Sequence, residues 1–300
     1  MEEIEEGKTV GVLFCDQSAA FDLCDHMLIL QKLKIMGFEN SSLEWIKSYL
    51  GNRIQSCFVD GELSEPINLL ECGVPQGSVG GPLLWLIFTC DQPDSIHDHI
   101  IVGADPHRGC PDPVSQEGEN IHCGDLIGYV DDGAYTFGHK DPAIVSTVLN
   151  QKYDRLEEWM TQNKLVMNPE KTHFMILGPK KISRDNFHIN AGEFVIKPTE
   201  SEKLLGCHVN QSLKWNDHLM DSKTSMMRQL NMRNNALKRV CAYAPFNARM
   251  MLANGIFQSK LVYLINVWGG ASVYLLKALQ VQQMVAARTV CMWVSLYQME

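Results

Sequence analysis

The sequence lacks three features that would assign it to a class at once. Its ten cysteines include no Cys-x-x-Cys pair, which excludes the common zinc-ribbon and dithiol patterns. It contains no apolar run near the ~20 residues that a membrane-spanning helix needs. It also has no excess of basic residues: the net charge is −9 and the isoelectric point about 5.6. This charge counts against tight unaided binding to a polyanion, although a basic groove can coexist with acidic outer faces.

A signal peptide is also missing from the printed N-terminus, which is acidic rather than basic and then apolar. We therefore expect an intracellular protein, nuclear or cytoplasmic, with reduced and mostly buried cysteines. The histidines and cysteines between His97 and Cys123 are too irregularly spaced to favour a zinc site. With 300 residues, 45% of them hydrophobic, the chain has enough material for one large domain or two smaller ones.

Two adjacent carboxylates, Asp131 and Asp132, follow an apolar run at residues 126–130. A second short apolar run begins at Ala134, so the pattern predicts a β-hairpin with acids at its tip. A Mg²⁺ site for phosphoryl transfer needs hard oxygen ligands of this kind, and few of them. The alternative is a solvated acidic turn, because aspartate favours turns for local hydrogen-bonding reasons.

A third carboxylate, Asp16, ends another apolar run at residues 10–15, which reads as a buried strand. Asp16 and Asp131 are 115 residues apart in the chain. If their strands lie side by side in one sheet, the acids can share two cations about 3.5–4 Å apart, as in-line displacement requires. The alternative is a simple polar cap on the end of a strand.

Residues 73–82 combine glycine, proline, Gln76 and Ser78, and they precede an apolar stretch at residues 83–88. Pro82 suits the first turn of a helix, and glycines let the backbone approach a ligand closely. The alternative is an ordinary connection into a buried helix.

Local patterns predict the remaining elements. A helix capped by Asp25 should run to about Met36, and a capping box at Ser41 and Glu44 should open a second helix. Further predictions are strands at 53–59 turning at 60–61, a long helix after 141–142, strands near 172–177, 187–189 and 193–196, and helices from about 216 onward.

Five of these segments, in this order, resemble the motifs of reverse transcriptases, most closely those of non-LTR (LINE-type) retrotransposons. The segments are residues 14–22, 73–82, 129–132, 168–172 and 203–206. Residues 261–288 resemble the region that follows the thumb in these elements, so the resemblance covers nearly the whole chain.

The resemblance implies an α+β fold: a polymerase palm with a mainly antiparallel sheet and helices on one face, followed by an α-helical thumb-like region. Residues 1–200 would be the palm, with an insertion loop at 91–125, and residues 201–300 the palm–thumb junction and thumb. The fingers region and any N-terminal endonuclease of a parent polyprotein would be missing, so the chain looks like a fragment.

The resemblance also assigns the acids. Asp16 and Asp131 would bind both catalytic metal ions, and Asp132 would complete the acidic cluster. The cofactor would be two Mg²⁺ ions, with Mn²⁺ as a substitute. The implied partners are an RNA template, a DNA primer and a deoxynucleoside triphosphate, with no membrane.

Other residues receive roles from the same resemblance. Phe21 would be a steric gate against a ribose 2′-hydroxyl, and Gln76 and Gly77 would line the floor beneath the templating base and the nucleotide. Lys171 would lie near the triphosphate and give a proton to pyrophosphate, and Gly206 would belong to the primer grip. Core packing for Phe21 and a solvated lysine for Lys171 are the plain alternatives.

The implied function is RNA-directed DNA polymerisation by two-metal nucleotidyl transfer. One alternative is an inactive truncated relic that binds at most RNA or a protein. An RNA-directed RNA polymerase is a third possibility, which Phe21 and the sequence at 129–132 disfavour. The basic residues from Arg228 to Arg239 form either a phosphate-contacting surface or a solvated helix face.

Overall fold

The computed structural model describes residues 2–16, 20–68, 72–97, 125–129, 132–178, 184–221 and 223–292. The chain divides into two compact units, residues 1–199 and 200–300. Each unit has its own hydrophobic core. Whether they correspond to a palm and a thumb stays a prediction.

In the first unit, four strands form the main sheet: β1 (Thr9–Asp16), β6 (Asp125–Tyr129), β7 (Asp132–His139) and β8 (His173–Leu177). The strand order is β6-β7-β1-β8, and every neighbouring pair is antiparallel. The predicted pairing of the two hairpin strands (β6–β7) and the buried first strand (β1) are therefore confirmed, whereas Val130 and Asp131 at the predicted tip lie outside the described residues.

Short elements surround this sheet. The helices are α1 (Glu2–Glu5), α2 (Ala20–Leu23), α3 (His26–Ile35), α4 (Ser41–Leu50), α5 (Gly80–Phe88), α6 (Gln92–His97) and α7 (Pro142–Gln162), with a 3₁₀ turn at Arg184–Asn186. Two-stranded ribbons pair β2 (Ile54–Gln55) with β5 (Ile67–Asn68), β3 (Phe58–Val59) with β4 (Glu62–Leu63), and β9 (Ile189–Ala191) with β10 (Phe194–Ile196).

Helix α7 covers one face of the sheet and packs on β1 and β7. It begins as the sequence predicts, because Asp141 Oδ1 accepts a hydrogen bond of 2.9 Å from the Ala143 backbone N–H. Gly11 of β1 allows α7 to approach the sheet closely, because a Cβ atom at this position would lie 2.5 Å from Leu149 Cδ1 of α7. The buried face of α7 comprises Val145, Val148, Leu149, Lys152, Tyr153, Leu156, Trp159 and Met160.

Local predictions in this unit were right in most places. Asp25 caps α3, and its Oδ1 accepts from the Leu28 N–H at 2.9 Å. The helix predicted from Ser41 forms, but its capping box was wrong: Ser41 is the first helical residue, and the N-cap Asn40 makes no side-chain cap bond. Asp60 has a φ of 51° and Gly61 of 89°, as the predicted two-residue hairpin turn requires.

The predicted loop at 91–125 was wrong at its start, where α6 occupies Gln92–His97. This helix packs against α7. Strand β6 then begins at Asp125, and residues 98–124 lie outside the described part of the chain. The histidines and cysteines considered above for zinc fall outside it as well, except that the backbone of His97 is described.

The second unit begins with a hairpin of β11 (Ser201–Leu204) and β12 (Cys207–Asn210) and continues as helices, as predicted from about residue 216. These are a π-helical turn at Asp217–Asp221, α8 (Met226–Cys241), α9 (Phe246–Leu252), a second π-helical segment at Ala253–Gln258, α10 (Ser259–Val262), α11 (Ile265–Trp268) and α12 (Val273–Cys291). Helices α8 and α12 pack together around Leu230, Leu237 and Leu279.

The eight described cysteines form no disulfide, and four of them are buried. The expectation of mostly buried thiols is therefore met by only half of this set. Burial raises the pKa of Cys15 to about 12, so this thiol is not a reactive nucleophile. Among the helices that the structure describes, none combines the length and apolarity that crossing a bilayer would take.

Candidate active site

The last residue of β1 pairs with the first residue of β7. Asp16 is the direct backbone partner of Asp132, and Cys15 is the partner of Gly133. Directly opposite residues of an antiparallel pair have Cα atoms about 4.5–5.5 Å apart. The expected adjacency of the two acid-bearing strands is therefore confirmed at the level of the backbone.

Asp131 and the side chains of Asp16 and Asp132 lie outside the described part of the chain. Among the residues that the structure does describe, no group of three or more histidine, cysteine, aspartate or glutamate side chains could hold a metal ion. The assignment of the three acids as metal ligands stays a prediction.

A pair of glycines lies directly behind the hairpin tip. Gly128 of β6 is the cross-strand partner of Gly133 of β7. Among the described residues, an added Cβ at Gly128 would meet no atom within 4 Å, and one at Gly133 would meet only Cys15 O at 3.8 Å. This strip of the sheet is therefore bare backbone that no described side chain covers.

The glycine-rich segment is held against the chain that follows β1. The Gly73 N–H donates to Cys24 O at 2.7 Å, and the Val74 N–H donates to Phe21 O at 2.7 Å. His26 Nε2 lies 2.7 Å from Gly73 O. Gly73 has a φ of 89°, and a Cβ there would lie 3.0 Å from Asp22 O, so only glycine fits without strain.

Phe21 and Gln76 have defined contacts in this arrangement. The half-buried Phe21 ring packs on Trp85, with ring centroids 5.6 Å apart. Gln76 Nε2 donates to Asp22 Oδ1 at 3.0 Å, which fixes the orientation of the amide. Gly77 has a φ of 77°, and an added Cβ there would meet no atom of the described residues within 4 Å. Their roles in nucleotide binding stay predictions.

A groove of about 870 Å³ runs beside the glycine-rich segment. Its lining includes Asp22, His26, Arg53, Asn68 and Gln76. The Arg53 guanidinium lies over the Tyr49 ring, 4.6 Å from its centroid, and Nε donates to Tyr49 O at 2.7 Å. The groove thus presents charged groups and amides beside the residues expected to bind the nucleotide.

Lys171 lies in the turn that leads into β8. The Lys171 and Thr172 N–H groups both donate to Asn168 O at 3.1 Å, and the Lys171 side chain is exposed. His173, the first residue of β8, is the backbone partner of Phe14. Lys171 is thus near the same end of the sheet as Asp16, and its catalytic role is not tested by this placement.

Lys164 and Asp25 form a contact that the sequence did not indicate. Lys164 Nζ lies 2.5 Å from Asp25 Oδ2. Burial alone would raise the pKa of Asp25, but the bonds from Lys164 and the Leu28 N–H outweigh it and lower this pKa. The pair joins the loop after α7 to the start of α3, beside the bridge between Asp25 and Cys72.

Gly206 lies in the second unit, in the two-residue turn between β11 and β12. Leu205 has a φ of 47° and Gly206 of 79°, so the tight turn predicted here is confirmed. The Tyr263 hydroxyl donates to Leu205 O at 2.9 Å and holds this turn against the helices. A role in gripping a primer stays a prediction.

The comparisons with known proteins identify the class. Residues 2–209 match the family model "Reverse transcriptase (RNA-dependent DNA polymerase)". The chain therefore belongs to the reverse transcriptase family, and the resemblance drawn from its motifs is confirmed.

Two named relatives indicate which kind of reverse transcriptase this chain resembles. The chain is 25% identical to the "Probable RNA-directed DNA polymerase from transposon BS" of Drosophila melanogaster over 290 residues. This aligned region covers 97% of this chain and 30% of that protein. It is 26% identical over 283 residues to the "RNA-directed DNA polymerase from mobile element jockey" of Drosophila funebris, covering 94% of this chain and 28% of that protein. It thus spans under a third of the length of these curated relatives, and it carries a LINE-type reverse transcriptase domain.

A solved telomerase structure from Candida albicans, in complex with a fragment of telomeric RNA, is also similar. Its sequence identity is 12% and its TM-score 0.33, over 97% of this chain and 48% of the telomerase chain. A likeness at this level carries no argument about the site.

Proposed function

We propose that this chain is the catalytic part of an RNA-directed DNA polymerase from a non-LTR retrotransposon. Its substrates would be an RNA template, a DNA primer and deoxynucleoside triphosphates. The observation that carries the proposal is the pairing of Asp16 with Asp132, with Asp131 next in sequence, within the residues that match the family model. Residues 1–199 would be the palm and residues 200–300 the thumb-like region.

The donor set fits divalent cations. Asp16 ends β1, Asp132 begins β7, and Asp131 precedes Asp132 in the sequence. Carboxylate oxygens are the ligands that Mg²⁺ prefers. Mg²⁺ held by Asp16, Asp131 and Asp132 would lower the pKa of the primer 3′-hydroxyl and neutralise charge on the departing pyrophosphate. The bare glycine strip beside these acids would leave room for the primer end.

The remaining residues would bind and orient the nucleotide. Phe21, backed by Trp85, would present a rigid ring to the sugar and exclude a 2′-hydroxyl. Gln76, oriented by Asp22, would support the nucleotide from below. Lys171 would place positive charge near the triphosphate and protonate the leaving pyrophosphate. Positioning and electrostatics of this kind supply most of the acceleration in phosphoryl transfer.

Primer extension on poly(rA)/oligo(dT) with Mg²⁺ and dTTP tests this function, using the full chain and a longer protein that contains it. We expect Asp131→Asn to abolish extension in the active form. Asp125→Asn is the matched control, because it makes the same chemical change at the exposed far end of β6. Full activity of Asp131→Asn would contradict the metal assignment.

The alternative is an inactive relic that binds at most RNA or a protein. It predicts no incorporation by either protein with Mg²⁺ or Mn²⁺. Preferential incorporation of ribonucleotides would instead support an RNA-directed RNA polymerase.

A further inference from the structure

An exposed tryptophan begins a stack of flat side chains on α4. Trp45 is 69% exposed, and its ring lies against Tyr49, with ring centroids 5.8 Å apart and planes 11° from parallel. Residues four apart lie on the same face of a helix, so the two rings form one surface. A tryptophan that is held in a fixed orientation and still open to solvent is suited to bind a second planar group.

Arg53 extends this stack by one more planar group. Its guanidinium lies 4.6 Å from the centroid of the Tyr49 ring, and its Nε donates to Tyr49 O at 2.7 Å. The hydrogen bond fixes the guanidinium, so little side-chain freedom is left to be lost when a ligand binds. Trp45, Tyr49 and Arg53, four residues apart at each step, together form what we call the stacking ladder.

The inner end of the stacking ladder lies at the glycine-rich segment. A Cβ atom at Gly80, the first residue of α5, would lie 3.4 Å from the Tyr49 hydroxyl. Arg53 also lines the groove of about 870 Å³ that Gln76 lines. The ladder therefore begins beside the segment expected to support the templating base, and it ends at the exposed Trp45.

A second groove runs along α4 beside the ladder. Its volume is about 640 Å³, and Arg53 lines both grooves, so the two are adjacent. Its other polar lining includes Lys47, Ser48 and Asn52, together with the carboxylate of Glu44. Within the described residues, neither Lys47 nor Arg53 forms an ion pair. Cations and hydrogen-bond donors beside a stack of planar groups are what a single-stranded nucleic acid needs from its binding site.

The chemistry of the ladder selects among ligands. In a double strand the faces of the bases are already stacked on one another, whereas an unpaired base can stack on an aromatic ring or on a guanidinium plane. A purely apolar protein surface would cover Trp45 but would leave the Arg53 guanidinium and the Lys47 ammonium without a partner, at a cost in desolvation. An unpaired strand satisfies the rings with its bases and the cations with its phosphates.

We propose that Trp45, Tyr49 and Arg53 form a stacking platform for the unpaired bases of a single-stranded RNA, with Lys47 placed against its phosphates. If the proposed polymerase function holds, on which this assignment of the strand rests, the strand is the part of the template that has not yet been copied. The platform would hold its bases apart from the templating base without reading their identity, because every base has a π face.

Binding of the full chain to two fluorescein-labelled RNA strands tests the platform, measured by anisotropy. One strand is a run of about ten adenosines, and the other has the same ribose–phosphate backbone without bases. The wild type should bind the adenosine strand about fivefold or more tightly than the abasic strand, since this is the contribution of one stacked base. Trp45→Leu should lose most of this preference. No preference in the wild type, or an equal preference in both proteins, would overturn the proposal.

Two further variants separate stacking from apolar bulk. Trp45→Tyr keeps a π face and should retain most of the preference for the adenosine strand, whereas Trp45→Leu keeps only an apolar side chain. Phe194→Leu is the matched control, because it removes an aromatic ring that is 55% exposed on β10 of the same unit, and it should leave the preference unchanged. Equal losses in Trp45→Tyr and Trp45→Leu would contradict stacking.

Lys47→Gln tests the proposed phosphate contact separately. It should weaken binding of both strands by the same factor and reduce the slope of log Kd against log[NaCl] by about 0.7, the loss of one contact to a single strand. Trp45→Leu should leave this slope unchanged, because its ring carries no charge. A loss in Lys47→Gln that is confined to the strand with bases would contradict the phosphate contact.

Failure of the platform and failure of the polymerase function are distinguishable. Asp131→Asn should keep the wild-type preference for the adenosine strand while showing no primer extension. If no protein extends a primer but Trp45→Leu still loses the preference, the platform stands and the catalytic proposal fails. If extension occurs and Trp45→Leu binds both strands as the wild type does, the platform fails alone.

Discussion

Lys32 of α3 and Asn163, the residue that follows α7, are joined by a hydrogen bond of 2.7 Å between Nζ and Oδ1. The same ammonium donates to Phe88 O at 2.6 Å and to Asp91 Oδ1 at 2.7 Å. It also lies over the rings of Phe88 and Trp159, 5.1 and 5.4 Å from their centroids. One half-buried cation therefore connects three helices of the first unit.

Replacing Lys32 by methionine should lower the free energy of unfolding by about 2–3 kcal/mol, because buried acceptors lose their donor. Lys34→Met, two residues along the same helix and exposed, should change it by less than about 0.5 kcal/mol. Urea denaturation followed by circular dichroism measures both. Equal losses in the two variants would show that the Lys32 contacts do not stabilise the fold.

Gly11→Ala should destabilise the packing of α7 on β1. Its Cβ would lie 2.5 Å from Leu149 Cδ1, and overpacking of a core usually costs about 1–3 kcal/mol. Shortening the neighbour with Leu149→Val should recover part of this loss in the double variant. Urea denaturation of the two single variants and the double variant tests the coupling, and strictly additive changes would rule the clash out.

The ion pair of Asp25 with Lys164 predicts a pH dependence. The pKa of Asp25 is lowered in the fold, so the unfolded chain binds the proton more tightly. The stabilisation is present above the pKa of the unfolded chain and is lost as the pH falls through the folded pKa. Asp25→Asn retains a capping side chain and should lack this acidic loss, which urea titrations from pH 7 to pH 3 can detect. An unchanged profile would show that the pair does not stabilise the protein.

His218 predicts a second pH dependence, in the other unit. Its pKa of about 4 lies below the 6.5 of an ordinary histidine, so between these values the unfolded chain binds more protons than the fold. Stability should therefore fall as the pH drops from 6.5 to 4, by at most about 3 kcal/mol from this residue. His218→Asn should flatten the curve, whereas the exposed His188→Asn should not. A wild-type stability that stays constant over this window would contradict the prediction.

Phe21→Val tests the steric gate. A smaller side chain opens space where a 2′-hydroxyl would lie, so incorporation of ribonucleotides relative to deoxynucleotides should rise by about tenfold or more. Loss of the Trp85 contact would lower stability as well, so unfolding and selectivity are measured on the same protein. A stability loss with unchanged selectivity would leave Phe21 as a core residue only.

The elements that the sequence predicted well are those set by local patterns. Alternation and apolar runs indicated β1 and the β6–β7 hairpin, and an aspartate before a proline indicated the start of α7. The capping box at Ser41 failed because the N-cap is one residue earlier, at Asn40, with a φ of 46°. Glu44 is therefore the fourth residue of the helix rather than the third, where a capping box needs it.

The contacts that sequence reasoning missed join residues far apart in the chain. Lys164 and Asp25 are 139 residues apart, Lys32 and Asn163 are 131 apart, and His26 and Gly73 are 47 apart. Nothing local marks such partners, because a lysine or histidine on a helix is usually solvated. The pairing of Asp16 with Asp132 did have a sequence signal, since Asp16 ends one apolar run and Asp131 and Asp132 follow another.

The Gly128–Gly133 pair has a consequence for reading other copies of such elements. A missense change at either glycine would place a side chain over the bare strip, which in the proposed site would obstruct the primer end while leaving every aspartate in place. Under the proposed function, intact aspartates are therefore not enough to identify an active copy, and the two glycine positions must be inspected as well.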